Sequence, residues 1–365
     1  MSAEYFAPEF RVEVNGRALA ADISKHVADL SVTLASGAVD SLQLTLANPY
    51  PELRWTHTDH AGLFREGSSV KVSMGYAGTP PVPMFDGELT GTSPTFPESG
   101  SPTVAVEGFS RLHRLQQRFD PVTVQNATDA DLVKKIAEAS RLSAKVAGNP
   151  GITHPWLSTG QAAHLPYLLE LARAAGREVW VEGTTLHFAP SRAGGEPVYT
   201  LVWGRTADSW VQGSVPLQSF TASLDVRRQV NTVVVRGHDP LTGDAIEGRA
   251  GEGDEDADLG GSETGPRARS ASLGGPTGLV VAWAPVSSQH EADARARALY
   301  NERAMEFIEG SGATLGLPKL RAGTVVTLGG LGSRFNGNYY VTRATHSIGG
   351  GGYRTTFQVR RNAAG

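Results

Sequence analysis

His57-Thr58-Asp59-His60 places two imidazoles three residues apart beside a carboxylate, the nearest approach to a metal-ligand pattern in this 365-residue sequence. Zinc takes histidine nitrogens and carboxylates, but a closed site needs a further ligand at a telling distance, and none follows. The cluster sits in a loop after Asn48-Pro49-Tyr50-Pro51 and reads as exposed polar residues. The acidic run Gly253-Asp254-Glu255-Asp256-Ala257-Asp258 offers calcium-type oxygens without the loop-closing glycine and distal glutamate of a calcium-binding loop, so a solvated charge run is expected. Gly329-Gly330-Leu331-Gly332-Ser333 is glycine-rich like a phosphate cradle. It lies between two strand patterns with no helix after it, which makes it a hairpin turn.

Catalytic constellations are equally thin. No Gly-x-Ser-x-Gly elbow is present, and no pair of carboxylates has a context suited to glycoside cleavage. Cysteine is absent, which removes thiolate nucleophiles, thiolate metal sites and disulfides. Arg227-Arg228 and Arg360-Arg361 are basic doublets at strand ends, read as solvated or interface pairs. A net charge of −4, from 33 Lys+Arg against 37 Asp+Glu, argues against a protein that coats nucleic-acid phosphates. Trp55, Trp156, Trp180, Trp203, Trp210 and Trp283 are scattered, with core or interface packing as their expected use. The chain therefore reads as a non-enzyme, with no cofactor, no metal and no specific nucleic-acid partner.

The elements around these residues are mainly strands. With 43 glycines and 21 prolines, turn formers are abundant. Period-two alternation marks Phe10 to Val14, Leu30 to Leu34, Leu42 to Leu46, Val70 to Met74, Phe85 to Thr90 and Thr103 to Glu107. Six short antiparallel strands with one apolar face need a sandwich or closed barrel. Helical spacing takes over after Arg118. Thr128-Asp129-Ala130-Asp131 caps one helix and Pro166 opens another that stops at Gly176, with Ala147 to Gly160 between them as loop. A hairpin follows over Glu178 to Phe188. Strand character returns at Ser219 to Val226 and Val230 to Gly237. Residues 247–276 carry Gly, Ser and alternating charge with almost no apolar side chain, which predicts a mobile surface loop. A long helix over about 289–307 and three closing strands complete the chain.

The end of the chain repeats the end of the first unit. Arg65-Glu-Gly-Ser-Ser-Val-Lys-Val matches Arg321-Ala-Gly-Thr-Val-Val-Thr-Leu. Phe85-Asp86-Gly87 then matches Phe335-Asn336-Gly337, Thr92 matches Thr342, and a last strand follows in both. Such an order points to duplication. The expected fold is thus mainly β with α+β insertions: two similar antiparallel barrels, the second split by an insertion. The first barrel spans residues 1–118 and an α+β insertion spans 119–210. The second barrel is built from 211–239 and 311–365, around an insertion at 240–310.

The helix from Ala292, Leu320-Arg-Ala-Gly-Thr-Val-Val326, Phe335-Asn-Gly-Asn-Tyr-Tyr-Val-Thr-Arg-Ala-Thr-His346 and Gly352-Tyr-Arg-Thr-Thr-Phe-Gln-Val-Arg-Arg-Asn362 resemble the late control D family. These are baseplate hubs of contractile-tailed phages, related to the hub portion of type VI spike proteins and of extracellular contractile injection systems. The resemblance implies that the barrels are tube-protein-like, and a homotrimer whose six barrels adapt a trimeric spike to a hexameric tail tube or tube initiator and line the central channel. It also implies assembly with other baseplate components in the bacterial cytoplasm. Since the sequence given ends after the last barrel strand, the spike is expected to be a separate polypeptide. No apolar run reaches the length of a membrane span. The residues expected at the tube ring or between subunits are Tyr5, Phe6, Tyr76, Phe85, Leu331, Arg334 and Phe335, the last five carried by hairpins over 75–85 and 329–335. A cell-wall-binding or peptidoglycan-degrading tail-tip protein is the alternative.

Overall fold

The computed structural model describes residues 7–47, 62–148, 153–204, 213–239, 242–281 and 286–365. The first unit contains Pro8–Val14 (β1), Arg17–Ala18 (β2), the short helix Ala21–Ser24 (α1), Val27–Ala35 (β3), Ser41–Ala47 (β4), Ser69–Tyr76 (β5), Val82–Thr95 (β6) and Thr103–Ser110 (β7). Its strands run in the order β2-β1-β5-β6-β7-β4-β3 and are antiparallel at every contact. The alternation does what it must: Val12, Leu30, Val32, Leu44, Val70, Val72, Met74 and Val106 all point into one buried core. Among the described residues β1 and β3 do not pair with each other, so this sheet curls without closing.

A turn at Arg111–Leu115 leads into the α+β insertion. The insertion comprises Thr123–Thr128 (β8), Asp129–Ala139 (α2), Ser143–Val146 (β9), Thr153–Ser158 (β10), His164–Ala174 (α3), Arg177–Glu182 (β11) and Thr185–Pro190 (β12). The expected cap is present: Thr128 and Asp131 form a reciprocal capping box at α2. Within the expected loop 147–160, β10 instead pairs with β8. Arg111 ties the insertion to the first sheet by reaching Asp86 at 2.7 Å and the Gly183 carbonyl at 2.9 Å.

Pro197–Trp203 (β13) and Val215–Leu224 (β14) follow, with β13 leaving the insertion to pair in parallel with β14 and with a strand from the chain's end. Then come Thr232–His238 (β15), Ala245–Gly251 (β16), Glu263–Thr264 (β17), Gly265–Leu273 (α4), Gly278–Val281 (β18) and Gln289–Met305 (α5). The chain ends with Ile308–Leu315 (β19), Val325–Gly329 (β20), Gly337–Gly349 (β21), Gly352–Arg361 (β22) and Ala363–Ala364 (β23). Strands β21-β20-β13-β14-β19-β22 close on themselves through the β21–β22 pairing, giving a six-stranded barrel around Leu201, Leu217, Val326, Tyr339, Val341, Ala344 and Phe357.

The mobile-loop reading of 247–276 is overturned. Residues 245–251 form β16, paired along its length with β15. Residues 265–273 form α4, and Ala257 and Leu259 are buried beside Val325 and Tyr340. The acidic run is partly solvated, with Asp256 and Asp258 exposed, but it also makes contacts with the helix α5. Glu255 accepts from the Tyr300 hydroxyl at 2.8 Å, Asp256 pairs with Arg297 at 2.8 Å, and the Asp256 amide donates to Asn301 at 2.7 Å. These acidic side chains hold α5.

Candidate functional site

The two matched octapeptides build the same turn. Gly67 and Gly323 adopt φ of 81° and 83°, a conformation that favours glycine. Gly67 N–H donates to Leu89 O at 2.8 Å while Leu89 N–H donates to Ser68 O at 2.9 Å. Gly323 N–H donates to Val341 O and Val341 N–H to Thr324 O, both at 2.8 Å. One residue further on, each long strand carries a bulge, between Leu89 and Gly91 in β6 and between Val341 and Arg343 in β21. Strand order also agrees: β5-β6-β7-β4-β3 in the first sheet, β20-β21-β22-β19-β14 in the barrel, all antiparallel. This register pairs Phe85 with Gly337 and Thr90 with Thr342, correcting the matches Phe85 to Phe335 and Thr92 to Thr342 that similarity of letters suggested.

The two sheets meet where β21 passes its bulge and pairs with β3, from Arg343 opposite Ala35 to Ile348 opposite Leu30. Leu30, Val32, Ala344 and His346 are fully buried there. His346 Nδ1 lies 3.0 Å from the Tyr353 hydroxyl and 3.1 Å from Thr355 Oγ1, and Nε2 lies 3.0 Å from Leu320 O. Burial holds its pKa down to about 4. Arg321 Nη2 donates to the Pro83 and Met84 carbonyls at 2.7 and 2.9 Å, tying barrel to sheet. Asp40, half-buried near this joint, has its pKa pushed up to about 6 by desolvation, against the Ala35 amide and the positive charges of Arg321 and Arg192.

The outward face of this joint is a band of short polar side chains interrupted by two exposed arginines, Arg343 opposite Gln358 and Arg354 opposite Ser347. Thr345 stands opposite Thr33 with their hydroxyls 3.0 Å apart, Ser347 opposite Ser31, and Ser31 opposite Gln43. On the barrel side Thr345 faces Thr356, and Ser311 lies between Gln358 and Thr221.

Of the residues expected at an interface, Tyr5 and Phe6 lie outside the described residues, as do His57, Asp59 and His60. Phe85 is buried in the first core at 5% exposure, which corrects its assignment as an interface residue. Tyr76 works inside the chain: its hydroxyl donates to Gly316 O at 3.0 Å and its ring centroid lies 5.5 Å from that of Tyr353. Leu331 and Phe335 are half-buried against the barrel core, while Arg334 is exposed on the turn between β20 and β21. Arg361 is no solvated residue. It is 1% exposed and donates to Asn336 O at 2.6 Å and Gly260 O at 3.1 Å. Among the described residues no group of three acidic or histidine side chains is arranged for a metal ion, and no helix is long and apolar enough to cross a membrane. The large exposed apolar side chains include Phe96, Trp156 and Trp203. Their partial solvation was not legible from hydrophobicity, which predicts burial for all three.

This architecture is that of bacteriophage tail proteins. A 43 kDa tail protein of prophage MuSo2 from Shewanella oneidensis superposes with a TM-score of 0.70 at 13% identity, covering 97% of this chain and 98% of its own. A tail protein from Neisseria meningitidis MC58 gives 0.67 at 14% identity, over 98% and 97%. An Escherichia coli type VI secretion component, itself similar to the T4 tail proteins gp27 and gp5, gives 0.57 at 11% identity over 95% and 76%. A search of curated proteins finds no match. The chain belongs to the family described as the Alg8 N-terminal domain, whose model matches residues 6–350.

Proposed function

We propose that this chain is the structural hub of a contractile tail or injection machine. Three copies close a ring, in which the curled first sheet and the closed barrel of each chain act as two copies of one ancestral unit. Six such units give a threefold assembly a nearly sixfold face, matching a trimeric spike on one side to a hexameric tail tube on the other. The observation that carries this reading is the shared register of the two units: the Gly67 and Gly323 turns, the bulges at Thr90 and Thr342, and five strands in one order. The tail-protein fold supports it. The polar band across β4, β3, β21 and β22 would line the channel with short hydroxyls and amides and with the cations of Arg343 and Arg354. The turns between β5 and β6 and between β20 and β21 join corresponding strands. They are the surfaces proposed to meet the tube.

Light scattering across a dilution series tests the ring. The expected particle has three times the 38.6 kDa chain mass and shows a nearly sixfold outline in averaged electron micrographs. A chain that is monomeric throughout, alone and with its tube and spike proteins, overturns the reading.

A further inference from the structure

The joint between β3 and β21 has an unfilled counterpart at the other end of the molecule. Following the register strand by strand, Gly108 corresponds to Val359, their partners Leu42 and Gly310 correspond, and so do the next partners, Val32 and Ala222. His346 of β21 corresponds to Pro94 of β6. Within the chain, His346 stands opposite Val32. The matching pair, Pro94 and Ala222, lies on strands that are not neighbours in the sheet order.

Burial marks both edges as incomplete. Leu30, Val32 and Leu34 on β3 are buried at 8% exposure or less, whereas their counterparts Phe220, Ala222 and Leu224 on β14 are only half-buried. Ala344, His346 and Ile348 on β21 are buried. Their counterparts Thr92, Pro94 and Phe96 are half-buried, exposed and 65% exposed. Among the described residues, β13 covers β14 only from Val215 to Leu217, and β5 covers β6 only as far as Glu88. A proline in β6 suits a strand that is an edge in the isolated chain.

We propose that a second copy of this chain fills both vacancies. Residues 91–96 of one protomer pair antiparallel with residues 220–225 of the next, repeating the internal joint. The inference rests on the three-copy ring proposed above and names its seam. Register places Phe96 opposite Phe220, Thr92 opposite Leu224 and Ser93 opposite Ser223. The last pair corresponds to Thr345 and Thr33, whose hydroxyls lie 3.0 Å apart. Apolar side chains left half-exposed at each edge then close a continuous core, and the edges cease to be a hazard for unspecific pairing.

The absence of cysteine makes the test clean. The double variant S93C/S223C, oxidised and run without reductant, is expected to give a covalent three-chain species that reduction returns to one chain. T33C/T345C, as the internal control, is expected to lose its free thiols without change of mass. F96E, at an exposed position, is expected to shift the ring toward monomer. A three-chain particle in which S93C/S223C keeps its thiols free, or in which F96E assembles as tightly as the parent, overturns this seam and leaves the ring standing. Covalent dimers from S93C alone would overturn it in favour of β6 pairing with β6. A parent chain that is monomeric in every setting overturns seam and ring together.

Discussion

Thr90 and Thr342 occupy one structural position twice. Each is the extra residue of a bulge, and each turns its hydroxyl onto the carbonyl of the residue across from the bulge, Glu107 at 3.4 Å and Gln358 at 3.3 Å. A bulge bends and twists its strand. In β21 the bend comes where the strand leaves β20 and meets β3. The residue count thus matters more than the hydroxyl. T342A should cost about 0.5–1 kcal/mol, the net worth of an ordinary hydrogen bond. Deleting Thr342 keeps the inward and outward alternation but removes the bend, and should cost clearly more. Urea unfolding of both variants checks the order; equal costs would deny the bulge its role.

His346 sets an acid limit on the joint. Its pKa is about 4 in the folded chain against an ordinary 6.5. The unfolded chain therefore binds the proton first as pH falls. This contribution to stability is full above pH 6.5 and drains away down to pH 4. At about 1.4 kcal/mol per pH unit the full loss is about 3.5 kcal/mol. H346Q, which retains hydrogen-bonding capacity without titrating, should show a shallower fall in stability between pH 7 and 4.5. An unchanged slope would mean that burial does not hold the ring's pKa below its ordinary value.

Asp40 has the opposite sign. Burial raises its pKa to about 6, so the folded chain holds a proton that the unfolded chain releases down to the ordinary 3.8. Stability from this group is present below pH 3.8 and lost as pH rises through 6, so at neutral pH the half-buried, desolvated carboxylate is a liability. D40N keeps an oxygen for the Ala35 amide, 3.0 Å away. It should unfold at higher denaturant at pH 7, by about 2–3 kcal/mol at most, with the advantage disappearing near pH 4. A less stable variant at pH 7 would show that attraction from Arg321 and Arg192 outweighs desolvation.

Much of this was legible in the residues. Period-two alternation found the six main strands of the first sheet, Thr128 to Asp131 announced a helix cap, and Arg65 to Val72 against Arg321 to Leu328 named the repeated turn. What escaped has physical reasons. Phe85 and Phe335 share letters, but the turn after β20 differs in length from that after β5, so equivalent strand positions carry different residues. Strand β13 pairs in parallel with segments far along the chain, which no local pattern reports. Residues 247–276 looked disordered because their packing uses backbone contact and small side chains rather than an apolar run.

Gly248 tests that last point. A Cβ there would lie 2.1 Å from the backbone carbon of Ala292 in α5, so strand and helix touch through glycine. G248A must push α5 away from β16, and overpacking of this kind costs about 1–3 kcal/mol. G278A nearby meets nothing closer than 3.7 Å and should be close to neutral. Hydrogen exchange over α5 and β16 should rise in G248A alone. Matching profiles would return the segment to a loosely held loop.

The proposed tube contact makes the final prediction. Arg334 and Thr79 are exposed on turns that join corresponding strands, away from the edges proposed to pair between copies. T79E and R334E change charge at these turns without touching either core. Combined in one chain, they should leave the three-chain mass intact and weaken capture of the tube protein, since one variant chain alters both corresponding turns and hence all six of the proposed contact positions. Light scattering and tube binding read the two properties separately. Unweakened tube binding by an intact ring would move the contact off these turns.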